Sequence, residues 1–203
     1  MACGHVRYST SGRSLVVNAQ PLVVRYRGGD LALAHNGNLV NAPSLRDELE
    51  QEGAVFQTSS DSELIATLVA RSDAMDTVEA VRSSMRRVQG AYALVIMTPY
   101  QLIGVRDPDG IRPLNIGCGD HCWMLASESC AFDAVGGTLV RAVEPGEIVT
   151  LDRRGVTSHP SGLGRAERLC IFEFIYFGRP DSVIGTETMY AVRKRSGAVL
   201  AEE

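Results

Sequence analysis

The chain has 203 residues, 45% of them apolar and 22% charged, which is the composition of an ordinary globular protein long enough to bury a sizeable core. Its formal net charge of −4, without a long basic run, argues against nucleic-acid binding by phosphate neutralisation. No segment has the length of a membrane span, Met1-Ala2-Cys3-Gly4 does not resemble a signal peptide, and five cysteines without paired spacing suit a reducing compartment. A cytoplasmic location is therefore expected.

The elements follow an α+β pattern. Leu15-Val16-Val17 and Leu22-Val23-Val24 read as extended segments around Asn18-Ala19-Gln20-Pro21. Arg27 to Asp30 is a turn and 31–35 a short strand. Asn41 is placed to cap a helix from Pro43 to about Glu50, with Leu45 and Leu49 on one face. A second helix starts near Asp61. There Ser60 and Glu63 have capping-box spacing, and Leu64, Ile65, Leu68 and Val69 form the apolar face. A third covers roughly 75–88, with Val78, Val81, Met85 and Val88 in register.

From Ala91 the period changes. Tyr92 to Met97 reads as a strand buried on both faces, with Leu102 to Val105 as its hairpin partner. Cys122 to Ala126 is a further strand, and Ser127 starts a short helix through about Val135. Glu147 to Leu151 pairs with Val156 to Ser158 around a turn. Residues 160–168 are an exposed loop, Leu169 to Phe177 a last apolar strand, and Met189 onward a helix.

Three stretches carry chemistry. Asn36-Gly37, after the apolar 31–34, can offer a side-chain amide and a backbone N–H to one oxygen, as an oxyanion hole does. It reads equally as an Asn-Gly hairpin turn. Arg7 has the fork that fits a carboxylate, with Tyr8 and Thr10 supplying a ring and a hydroxyl; a strand-edge arginine is the plain alternative. Asp61 suits a substrate ammonium, or simply the favoured acid at a helix start. Asp107 and Asp109 belong to a tight turn around Pro108 and Gly110. The four histidines have no metal-ligand spacing, and there is no phosphate-cradling glycine loop.

A series of motifs then resembles the glutaminase domain of the amidophosphoribosyltransferases. It comprises Gly4-His-Val-Arg-Tyr-Ser-Thr10, Asn18-Ala-Gln-Pro21, Arg25-Tyr-Arg-Gly-Gly29, His35-Asn-Gly-Asn-Leu-Val-Asn-Ala42 and Ser60-Asp-Ser-Glu63. Further along come Arg106-Asp-Pro-Asp-Gly-Ile-Arg-Pro-Leu114, Ala126-Ser-Glu-Ser-Cys130, Glu144-Pro-Gly-Glu147 and Tyr176-Phe-Gly-Arg-Pro-Asp-Ser182. Hexosamine-forming amidotransferases usually have Thr-Arg-Trp where this chain has Val6-Arg7-Tyr8.

The resemblance implies an N-terminal-nucleophile hydrolase fold, an αββα sandwich, here without its first strands. It implies a partial glutaminase domain over 1–187 and the start of a phosphoribosyltransferase domain over 188–203. Glutamine would be hydrolysed and its ammonia passed to phosphoribosyl pyrophosphate to give 5-phosphoribosylamine. Arg7 would bind the glutamine carboxylate and Asp61 its amino group. Asn36 and Gly37 would form the oxyanion hole, and Tyr8 and Thr10 would line the pocket.

The family's nucleophile is an N-terminal cysteine several dozen residues before the Gly-His-Val-Arg motif. The expectation is therefore that this chain lacks it, that Cys3 does not replace it, and that the chain is an inactive fragment. The alternative is a stand-alone, non-catalytic glutamine-binding or interaction module. The family implies Mg2+ in the absent second domain, an iron–sulfur cluster in some members and a homo-oligomer when full-length. No cofactor is expected on this chain and no metal site. Cys170 matches a cluster-ligand position but reads better as a buried structural thiol.

Overall fold

The apolar run at Tyr92–Met97 sits where its sequence requires, covered on both faces. In the computed structural model, which describes residues 1–7 and 15–202, it belongs to a six-stranded antiparallel sheet. That sheet comprises β1 (Leu22–Tyr26), β2 (Gly29–Leu39), β3 (Gly90–Met97), β4 (Leu102–Arg106), β8 (Glu147–Asp152) and β9 (Gly155–Pro160), side by side in that order. A second, three-stranded sheet has β5 (Asn115–Gly119) between β6 (Cys122–Ala126) and β7 (Thr138–Ala142).

Alternation along β3 divides the core in two. Tyr92, Leu94 and Ile96 join Leu31, Leu33, Ile103, Val105 and Ile148 under a layer of helices. Ala93 packs instead with Ile116, Val143, Val149 and Leu151, between the two sheets. The helices are α1 (Ala42–Gln51), α2 (Asp61–Arg71) and α3 (Thr77–Met85). Their apolar stripes (Leu45 and Leu49; Leu64, Ile65, Leu68 and Val69; Val78, Val81 and Met85) are all buried, each large side chain contributing about 2 kcal/mol.

The fourth layer is slight. Ile116 points between the sheets, so its neighbour Gly117 faces the other way, against the ring of Phe132 in the one-turn α4 (Cys130–Asp133). A Cβ on Gly117 would lie 2.5 Å from that ring. The chain closes with a short hairpin, β10 (Val183–Ile184) and β11 (Glu187–Thr188), and then α5 (Met189–Glu202). The layers thus run helix, sheet, sheet, helix, and the domain boundary expected at 187 falls within β11.

Several elements differ from the sequence reading. Val16–Asn18 forms a 3-10 turn rather than a strand, with Asn18 buried and bonded to Ser59. The strand expected at 31–35 extends over Gly29–Leu39, so Asn36-Gly37 is inside a strand and not a turn. Asn41 sits at the start of α1 without capping it; its amide crosses to the Arg87 carbonyl and the Gln89 N–H instead. Ser60 caps α2 through the Ser62 N–H, whereas Glu63 turns back to the Gln57 and Thr58 N–H groups. Helix α3 is shorter than 75–88 because the Asp76 carboxylate caps it at Glu79.

The largest difference is at the end. Residues 171–177, expected as a strand, are helical, and Glu173–Phe177 forms a π-helical turn. Among the described residues no strand pairs with this segment, so its backbone satisfies itself locally. Helical winding also buries Glu173 against Arg112, at 2.8 Å, while Ile171, Phe172, Ile175, Tyr176 and Phe177 remain exposed.

The turn after β4 is tight, as expected. Asp107 is wholly buried and its carboxylate accepts N–H groups from Tyr92, Asp109, Ile111 and Arg112. The loop 160–168 is pinned over this turn by Glu167 on Arg106 (2.7 Å) and Arg165 on Asp109 (3.1 Å).

Candidate active site

The site follows from where β1 stops. Its last pair with β2 is Leu22 with Leu33, so among the described residues no strand lies beside the outer edge of β2 beyond Leu33. Backbone N–H groups alternate along a strand, and those of His35, Gly37 and Leu39 share this open edge. The His35 N–H is taken by Gln20 Oε1 at 2.6 Å, and that of Leu39 by Asp61 Oδ2 at 3.1 Å. The Gly37 N–H lies between them.

A cavity of about 800 Å³ opens there. It is lined by Arg7 from the N-terminal segment, Asn36 and Gly37 from β2, and Asp61 from α2. Arg112, Glu128, Glu173, Tyr176 and Phe177 line it as well. The four expected site residues that fall within the described part of the chain thus meet at one cavity; Tyr8 and Thr10 lie outside the described residues.

Gly37 cannot be replaced here without strain. Its φ is +151°, and a Cβ would run into the Ala91 carbonyl oxygen and come within 2.8 Å of Tyr92 Cα. A bare backbone at this point lets a ligand oxygen reach the main-chain N–H, with the Asn36 amide beside it on the cavity wall.

Asp61 is 5% exposed. Burial alone would raise its carboxyl, but the nearby His35 and the Leu39 N–H outweigh it and hold the group below the usual carboxylate range. His35 Nδ1 is 3.5 Å away from Asp61 Oδ1 and 3.3 Å from Ser62 Oγ. Across the N-terminal segment, burial lowers the His5 pKa, assisted by His35 and Arg7. The cavity therefore presents an ionised acid, an arginine and an uncharged pair of N–H donors, a set that matches a small zwitterion carrying a carbonyl group.

Sequence reading did not assign Gln20, His35, Arg112, Glu128 or Glu173 to the site. The first four lie inside recognised motifs, which was the available signal. Glu173 gave only an acid within an apolar run.

No cysteine is among the described residues lining this cavity. Cys3 lines a different one, with Cys118, Cys122 and Trp123, and burial raises its thiol pKa, opposite to what an attacking thiolate requires. Cys170 is half-buried rather than buried. Among the described residues no group of three or more His, Cys, Asp or Glu side chains could hold a metal.

Comparison with known proteins gives the class. Residues 5–134 match the glutamine amidotransferase domain family, and the chain belongs to that family. Over its whole length it is 45% identical to the amidophosphoribosyltransferase of Bacillus subtilis and 49% identical to that of Synechocystis, covering 43% and 42% of those proteins. The chain thus spans less than half the length of these relatives.

Among solved structures, glutamine phosphoribosylpyrophosphate amidotransferase from B. subtilis, complexed with ADP and GMP, superposes with a TM-score of 0.92 at 44% identity. The match covers 98% of this chain and 43% of that one. The fold is that of the glutaminase domain of these enzymes, an N-terminal-nucleophile hydrolase sandwich. A class-II glutamine aminotransferase domain protein from Silicibacter pomeroyi shares the fold at a TM-score of 0.51 and 20% identity.

Proposed function

We propose that this chain is the glutamine-recognition part of an amidophosphoribosyltransferase. Such an enzyme hydrolyses glutamine and delivers the ammonia to phosphoribosyl pyrophosphate, giving 5-phosphoribosylamine. The observation that carries the reading is the convergence of Arg7, Asn36, Gly37 and Asp61 on one cavity. Arg7 holds the α-carboxylate of glutamine through paired hydrogen bonds, and Asp61 the α-ammonium. The Asn36 amide and the Gly37 N–H receive the side-chain carbonyl oxygen, and would stabilise the negative charge that develops there under attack.

The attacking thiol is not Cys3, which lines the other cavity. On its own this chain binds glutamine without hydrolysing it. The phosphoribosyl acceptor, the Mg2+ that accompanies it and the homo-oligomeric assembly belong to the longer enzyme. Among the described residues no helix is long and apolar enough to cross a membrane, which accords with a cytoplasmic enzyme.

Calorimetric titration of the purified chain with glutamine tests the reading. Saturable binding at millimolar glutamine is expected, with no release of glutamate. Asp61→Asn should weaken it at least about tenfold, because the ammonium loses its counter-charge. That variant should still fold, since an asparagine oxygen can accept the Leu39 N–H, while giving up the stability the ionised carboxylate draws from His35. No heat at millimolar glutamine would overturn the reading, and glutamate release would overturn the claim that the chain alone is inert.

A further inference from the structure

Gln20 belongs to the motif Asn18-Ala19-Gln20-Pro21, to which the proposed chemistry gives no role. Its position in the sheet is informative. Continued past Leu22 and Leu33, the β1–β2 register would set Gln20 opposite His35. The chain has left the sheet by then, because β1 begins only at Leu22. The His35 N–H that a strand partner would have received goes instead to the Gln20 side chain, Oε1 at 2.6 Å. A backbone N–H can only donate, so the atom facing it is the amide oxygen, and the NH2 group is left to point elsewhere. It donates to Ser62 Oγ at 3.1 Å, in the first turn of α2 and one residue from Asp61.

Gln20 therefore spans the two halves of the cavity. One end fixes the β2 edge two residues before Gly37, and the other fixes the start of the helix that carries Asp61. Asn18 makes a parallel link, donating to Ser59 Oγ at 3.0 Å and accepting the Ser59 N–H at 3.2 Å. The Asn18 link ties the segment before β1 to the loop that leads into α2, and the Gln20 link ties it to the first turn of that helix. Between His35 and Leu39, whose N–H groups are held by Gln20 and Asp61, only a short stretch of edge remains, and the Gly37 N–H is at its middle.

We infer that Gln20 is a positioning residue: it takes the His35 N–H as a strand partner would and holds the Gly37 N–H at a fixed distance from Asp61. The inference rests on the glutamine reading for its consequence, since that distance is the span between the ammonium and the side-chain carbonyl of glutamine. It does not need that reading for its structural content. The Asn18 link remains in a Gln20 variant, so loss of the strut loosens the edge without detaching the segment.

Two measurements on the full 203-residue chain test it, comparing wild type, Gln20→Ala and Gln20→Glu. The first is amide hydrogen exchange without ligand. In the wild type His35 should be protected although no described strand lies beside it, and Gly37 should exchange fast. Gln20→Ala should speed His35 exchange about tenfold, as loss of one hydrogen bond allows, and leave Leu94 in the core unchanged. Gln20→Glu keeps an acceptor for His35 and should keep that protection.

The second is the affinity for glutamine against that for L-norvaline, which has the same carboxylate and ammonium but no side-chain carbonyl. Gln20→Ala should weaken glutamine about tenfold while leaving norvaline nearly unchanged, and Gln20→Glu should recover most of the loss. Unchanged His35 exchange in Gln20→Ala would overturn the strut. Equal weakening of both ligands would reduce Gln20 to general support and overturn the positioning role. Should the wild type bind no glutamine, the functional reading fails, and the exchange measurement still decides whether the strut exists.

Discussion

One wall of the cavity is the open edge of β2 with the start of α2; the other is the helical segment 171–177 with Arg112 and Glu128. The first wall continues directly into the core. Leu33 and Leu39 are buried on either side of the recognition residues, and Leu64 and Ile65 follow Asp61 within one turn. The backbone N–H groups of His35, Leu39 and Ser62 are taken by short side-chain links from Gln20, Asp61 and Ser60. The second wall is attached by long side chains. Arg112 holds Glu173, Glu128 accepts the Arg179 N–H and the Ser182 hydroxyl, and Arg193 reaches the carbonyls of Phe174 and Gly178. Its large apolar side chains are exposed, Tyr176 by 69%. Geometry that must be exact to a fraction of an ångström belongs on the first kind of wall, and the second is built to yield.

The two walls meet at Asp107, and the largest effect is expected there. Its carboxylate accepts from Tyr92 in β3, opposite Gly37, and from Arg112 on the far side. Asp107→Ala strands four N–H groups, among them that of Tyr92 behind Gly37 and that of Arg112, at a cost of about 4 kcal/mol or more. Urea denaturation should show no cooperative native baseline. A variant that melted within a few degrees of wild type would mean that the walls are held together elsewhere.

Gly37→Ala is aimed at the sheet wall alone. The added Cβ meets main-chain atoms of Ala91 and Tyr92, which cannot move without disturbing the centre of the sheet. A loss of about 2–4 kcal/mol is expected from overpacking and an unfavourable backbone angle together. Glutamine binding should vanish even where the chain remains folded, which calorimetry at low temperature can read. Retained binding would show that the Gly37 edge is less rigid than its packing implies.

The same contrast governs what could be read in the sequence. The sheet wall was legible because its neighbours obey simple periods: Leu64, Ile65, Leu68 and Val69 at helical spacing, and Tyr92 to Met97 as an unbroken run. Even there the strand was read too short. His35-Asn36-Gly37-Asn38 looks like punctuation, and only the loss of a strand neighbour after Leu33 makes polar residues suitable in the middle of β2. Gln20 was hidden for a related reason, since a side chain that replaces a strand leaves no periodic trace. On the other wall, Ile171 to Phe177 has the β-branched and aromatic composition of a strand. No local rule shows that it has nothing to pair with, or that Glu173 must turn inward to reach Arg112.

Glu173→Gln examines the yielding wall, and the smallest effect is expected. Glu173 is buried, and that burial raises its carboxyl; Arg112 opposes the rise and the charge of Glu128 adds to it, leaving the group above the usual carboxylate range. A carboxyl whose folded value exceeds its unfolded one contributes stability that is fully present below the unfolded value and is lost as pH rises through the folded one. Glutamine cannot titrate but can still accept from Arg112, so the variant keeps the contact and removes that loss. Relative to wild type, Glu173→Gln should therefore gain stability between pH 4 and pH 7, by about 1 kcal/mol or less, in thermal melts across that range. Because the wall yields, glutamine affinity should change less than for Gly37→Ala. A variant that instead loses stability as pH rises would show that attraction to Arg112 outweighs burial. The segment 171–177 would then be latched by an ion pair, and the contrast between the two walls would narrow.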